Sequence, residues 1–179
     1  MVNKILLFKF LICVAAIRPM SGWCAESILQ QLSGEQLEKG CNLDFYAVNL
    51  ANDSPAIGRP DYSIDMRWAC DGKPTKIVDT YEVEGGSPQI VTVFYRNRKD
   101  VVVLVKWSTN SQASDIQGDY YKIYVYRIAL RNLEKPFLRQ EGVMKKLGEG
   151  WDGEMNGNPV HYPLKDAASI RKALNRLGY

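Results

Sequence analysis

The chain is poor in the residues on which most enzyme chemistry depends. It has one histidine, His161, and four cysteines, and Cys13 and Cys24 fall within or at the end of an apolar N-terminal stretch. A Ser-His-Asp or Cys-His mechanism would need His161 as its base. No G-x-S-x-G elbow accompanies it, and His161 stands beside Tyr162 and Pro163 in a predicted strand, as an ordinary surface or packing histidine does. C-x-x-C pairs and Cys/His clusters are missing too, which disfavours redox catalysis and structural zinc. Gly85-Gly86 and Gly148-Glu149-Gly150 are too short to cradle a phosphate and lack the Lys-Ser/Thr that completes such a loop. Both read as turns. No catalytic set, cofactor or metal is expected.

An excess of charge is also lacking once the N-terminus is set aside. The chain carries 23 Lys+Arg and 20 Asp+Glu. Lys4, Lys9 and Arg18 lie in the first 25 residues, where there is no acid, so the remainder balances at 20 against 20. A balanced chain exerts no net pull on nucleic acid or anionic lipid.

What is present begins with an address. Lys4 precedes an apolar stretch from Ile5 to Ile17, broken only by Lys9 and closed by Arg18-Pro19 and small residues. At about 13 residues it falls short of the roughly 20 that span a bilayer, so residues 1–25 read as a signal peptide. Residues 26–179 then form one domain of ordinary size. Export places Cys41 and Cys70 in an oxidising compartment, where two cysteines most simply form one disulfide. Closing that loop stabilises the fold by about 3.5 kcal/mol in the chain-entropy picture.

Helical spacing of Ile28, Leu29 and Leu32, followed by a capping-box-like Ser33-Gly34-Glu35-Gln36, predicts a short N-terminal helix ending at Gly40. From Cys41 the period becomes two. Tyr62, Ile64, Met66, Trp68 and Cys70 share one strand face, and Ser63, Asp65 and Arg67 share the other. Further strand-like runs follow over Lys76–Glu84, Gln89–Arg96, Asp100–Trp107 and Asp119–Leu130, and Val101 to Val105 is apolar on both faces. Asn52–Pro60 and Ser108–Gly118 read as loops. Phe137–Leu147 fits either a helix or an edge strand, and Trp151–Tyr162 reads as a hairpin around Asn156-Gly157. Asp166 caps a final helix whose stripe is Ile170, Ala173, Leu174 and Leu177, with Arg171, Lys172 and Arg176 toward solvent. The expected fold is α+β: an antiparallel β-meander sheet of about six strands, a short N-terminal helix, and a C-terminal helix packed on one face.

Three constellations remain. Asp152 to Asn158 resembles half of a calcium loop, but Pro163 stands where the bidentate Glu belongs, so the hairpin is preferred. Asp79, Glu82 and Glu84 on one strand could line a carboxylate groove, although a solvated strand face is the commoner outcome. Tyr120, Tyr124 and Tyr126 share a strand face, with Trp107 on a neighbouring strand, and suit either a sheet core or an interface.

The resulting expectation is an exported, non-enzymatic binding protein of the bacterial envelope, periplasmic or secreted. Most specifically it is an inhibitor or immunity protein that occludes a toxin or hydrolase by inserting a loop. The alternative is a carbohydrate-binding or structural envelope domain using the Tyr/Trp face, and the second alternative is a carboxylate-based hydrolase. The expected partner is another exported protein rather than nucleic acid, with no stable membrane span. The sequence is silent on oligomeric state.

Overall fold

Residues 27–49, 61–111, 115–129 and 135–179 are described by a computed structural model. The strand pattern beginning at Cys41 builds the first layer. Leu43 and Phe45 on β2 (Cys41–Asn49) and Ile64, Met66 and Trp68 on β3 (Tyr62–Cys70) point the same way and are buried. Cys41 stands directly opposite Cys70 in the antiparallel register, and their sulfurs lie at disulfide distance, 2.06 Å. β4 (Lys76–Tyr81) extends this sheet on one side and β1 (Ser27–Ser33) on the other, giving the order β1-β2-β3-β4.

β1 corrects the expected N-terminal helix. Its register slips between Ile28 and Gln30, leaving Leu29 as an extra residue. A bulge of this kind moves apolar residues out of strict alternation, so Ile28, Leu29 and Leu32 imitate helical spacing. Pairing with β2 decides the outcome, and Gln31 Nε2 donates to Asp44 Oδ1 at 2.8 Å across the two strands.

The second sheet holds six strands in the order β10-β9-β7-β6-β5, with β8 paired to part of β7. These are β5 (Pro88–Arg96), β6 (Asp100–Ser111), β7 (Ile116–Ile128), β8 (Phe137–Arg139), β9 (Glu149–Met155) and β10 (Asn158–Val160). The six expected runs are therefore strands β2 to β7, but they do not form one meander. Gly85-Gly86-Ser87-Pro88 carries the chain from the first sheet to the second. The reason lies in β6, where Val101 to Val105 is buried on both faces. One face (Val101, Val103, Val105, Trp107) packs on the first sheet's interior, together with Tyr81, Tyr124, Tyr126 and Phe137. The other (Val102, Leu104), with Ile123 and Val125 of β7, packs under two helices, α1 (Glu141–Leu147) and α2 (Ala167–Arg176). A single sheet with one helix could not have covered both faces.

The architecture is thus α+β and mainly β: two stacked antiparallel sheets with a helical layer on the second. Asp166 caps α2 through Ser169 N at 2.7 Å, and Ile170 and Leu174 are fully buried. Burying side chains of this size contributes about 1.5–3 kcal/mol each. Phe137–Leu147 holds both of its readings, a three-residue strand and then a helix. The hairpin around Asn156-Gly157 is β9–β10, and both turn residues have positive φ, 52° and 71°. Among the described residues no helix is long and apolar enough to cross a membrane.

Candidate functional site

β6 and β7 continue together past the start of β5. The last pairing of β5 is Pro88 with Trp107, whereas β6 and β7 stay in register from Ser108–Asp119 to Ser111–Ile116. Most of the expected Ser108–Gly118 loop is therefore a hairpin. The other expected loop, Asn52–Pro60, lies outside the described residues. β9 braces the hairpin along its far edge, pairing from Ile116–Met155 to Lys122–Glu149.

Gly118 and Gly153 face each other in this brace, with φ of 154° and 149°. A Cβ on Gly118 would come within 2.4 Å of the Asp152 carbonyl oxygen, and one on Gly153 within 2.3 Å of that of Gln117. Only glycine allows the two backbones to approach so closely. Asp152, next to this contact, ties the brace to the chain leading into α2. Its carboxylate accepts from Lys165 Nζ and Tyr162 N and pairs with His161 Nδ1. These bonds, Lys165 foremost, hold Asp152 below the ordinary carboxylate pKa. Of the oxygens proposed for half a calcium loop, those of Asp152 are already engaged. The one cluster of three potential metal ligands among the described residues, Glu38 with Cys41 and Cys70, has its two sulfurs joined to each other.

At the root of the hairpin a row of rings runs from the core outward. Trp107 is fully buried and donates Nε1–H to Glu82 O at 2.8 Å. Tyr120 lies 6.1 Å from it, and Trp151 lies 5.3 Å beyond Tyr120, both half-buried. Beside them Lys122 Nζ pairs with Glu149 Oε2 at 3.2 Å and stands 5.8 Å from the centre of the Tyr124 ring. Burial first, then the Glu149 and Glu84 carboxylates, push the Tyr120 hydroxyl well above its ordinary pKa. Tyr124 is likewise raised, by burial first and then by Glu84. The site is a set of amphipathic rings rimmed by two carboxylates and an amine.

Of the four aromatics expected at an interface, Trp107 and Tyr126 lie inside the sandwich at 0% and 1% exposure. Tyr124 is also buried, and only Tyr120 reaches the surface. Tyr126 donates to Asp79 and lies 3.0 Å from Tyr81 Oη. Asp79 also accepts from Arg139 Nε at 2.7 Å, which straps β8 to β4. The groove expected from Asp79, Glu82 and Glu84 does not form: Asp79 points between the sheets, while Glu82 and Glu84 lie exposed beyond the end of β4. Comparison with family models, curated proteins and solved structures gave no match.

Sequence reasoning missed Trp151, Lys122 and Glu149. Trp151 sat in a hairpin that was legible, but its partner Tyr120 lies on a strand separated from it by β8 and α1. Nothing in the local pattern announces that pairing.

Proposed function

We propose that the protein is an exported binding protein of the bacterial envelope that acts as an inhibitor or immunity protein. The β6–β7 hairpin is the part it offers to its partner. The reading rests on one observation: the hairpin outruns β5 yet is held in register by β9 along its length. A recognition element already fixed in shape loses little entropy on binding, and so retains more of its contact energy as affinity. Tyr120 and Trp151 at its root supply the residue types that anchor protein interfaces. The rim of Glu149, Glu84 and Lys122 supplies orienting charge of both signs.

A second reading, carbohydrate binding, draws on the same ring pair, since a half-exposed Tyr/Trp surface beside a carboxylate and an amine also suits a sugar face. The two part in one experiment. The full chain is passed over envelope extract and over insoluble peptidoglycan, and any captured hydrolase or toxin is assayed with increasing amounts of the protein. Under the inhibitor reading one extract protein is retained, its activity is lost at stoichiometric addition, and Trp151→Ala weakens both effects. Retention on peptidoglycan alone, lost in Trp151→Ala, would replace that reading with the second.

A further inference from the structure

The charge balance of the chain conceals a separation between its layers. The described residues between 27 and 87, which build the four-stranded sheet, carry four Lys+Arg against nine Asp+Glu. The described residues between 88 and 179, which build the six-stranded sheet and both helices, carry 14 against eight. Many cations of the second group are spoken for: Lys106 by Asp119, Lys122 by Glu149, Arg127 by Asp100, Arg139 by Asp79 and Lys165 by Asp152.

The helical layer differs. Lys145 and Lys146 on α1 and Arg171, Lys172 and Arg176 on α2 are all exposed, and none makes an ion pair among the described residues. Arg171 places its guanidinium carbon 3.9 Å from the centre of the Phe94 ring while the residue stays exposed. Two acids accompany these helices. Glu141 is exposed, and Asp166 is engaged as the cap of α2. Arg96 bonds to Asn175 and to the Tyr179 carbonyl, which draws the end of α2 to the β5–β6 turn, where Arg98 and Lys99 are also exposed. Leu177, 39% exposed, lies among these cations as an apolar side chain on the same layer.

We propose that this helical layer is an electrostatic docking face for an anionic phospholipid bilayer. Stacked sheets stand about 10 Å apart, which already exceeds the Debye length of about 8 Å at physiological salt. The acidic layer is therefore screened from a surface that meets the helices. A planar surface touches one side of the molecule only, so it senses the basic layer rather than the balanced whole. Each Lys or Arg close to an anionic bilayer strengthens binding about fivefold, and Leu177 can enter the headgroup region beside them.

The test is sedimentation of the full chain with vesicles of phosphatidylcholine alone and with about 30% phosphatidylglycerol, at about 50 mM and about 300 mM salt. Lys4, Lys9 and Arg18 lie in and around the apolar stretch from Ile5 to Ile17 and favour anionic vesicles as well, so the deciding readout is how far substitutions in the helical layer reduce the anionic preference. Expected are preference for the anionic vesicles, its loss at the higher salt, and at least about thirtyfold weaker anionic binding for Lys145→Glu/Lys146→Glu and for Lys172→Glu/Arg176→Glu. The neutral pair Lys172→Gln/Arg176→Gln, with unchanged melting, separates lost charge from lost fold. Equal binding to both vesicle kinds would overturn the proposal. So would undiminished preference in the reversed variants, or retention on soluble heparin with none on phosphatidylglycerol vesicles.

Discussion

At Asp79 on β4, side chains from two other strands converge on one carboxylate. Arg139 comes from β8, Tyr126 from β7, and Tyr126 in turn lies 3.0 Å from Tyr81 on β4. The carboxylate is 11% exposed, so its charge is stabilised by these partners rather than by water. Removing it strands a phenol between the sheets and leaves the Arg139 guanidinium, 44% exposed, without its partner. Asp79→Asn should lower unfolding free energy by about 2 kcal/mol, read by urea denaturation. Adding Tyr126→Phe to it should cost less than the two single changes together, and full additivity would show that the network is not shared. Neither the bond nor its partners could be read from the sequence. Asp79 sits in a strand of mixed polarity, and a slip in register between Met66 and Arg67 turns it inward beside Met66. Trp151 behaves differently, because it is half-buried and its ring leans on Tyr120. Trp151→Ala should therefore impair partner binding more than stability.

Among the elements, those whose signal is local were legible. The C-terminal helix with its Asp166 cap, the Asn156-Gly157 hairpin and the alternation of β3 each needed only neighbours in sequence. β1 was misread because a one-residue bulge disguises its period, and the two-sheet split was missed because pairing between distant strands leaves no local trace. Tests follow the same division. The disulfide joins the start of β2 to the end of β3 with 29 residues of separation. Cys41→Ser/Cys70→Ser should destabilise the fold by about 3 kcal/mol in denaturant titration, and an unchanged midpoint would remove the cross-link from the account. Gly153→Ala meets the Gln117 carbonyl oxygen in a backbone conformation that alanine rarely adopts. It should cost about 2 kcal/mol or more. Hydrogen exchange should quicken in β9, β10 and the outer part of β7, while Val101 to Val105 stay protected.

For the molecule as a whole, every shifted tyrosine is shifted in one direction. Burial pushes the phenols of Tyr95, Tyr121 and Tyr162 up from 10.0 to about 12, and Tyr81 and Tyr126 are raised as well, by burial first. The unfolded chain then loses these phenolic protons near pH 10 while the folded chain keeps them. Stability is full below that value and falls as pH rises from about 10 toward 12. Melting temperature and absorbance at alkaline pH should show these five tyrosines ionising only as the protein unfolds, and their titration near pH 10 with the fold intact would contradict this. The same stacked layers let the β6–β7 hairpin outrun β5, and we propose it as the part offered to a partner. Its most direct test places a photocrosslinking residue at Asn110 on the hairpin, and in a separate chain at Gln36, in cells that make the protein. The account predicts one dominant protein adduct from position 110 and none of that species from position 36. No adduct at 110, or the same adduct from both positions, would contradict it.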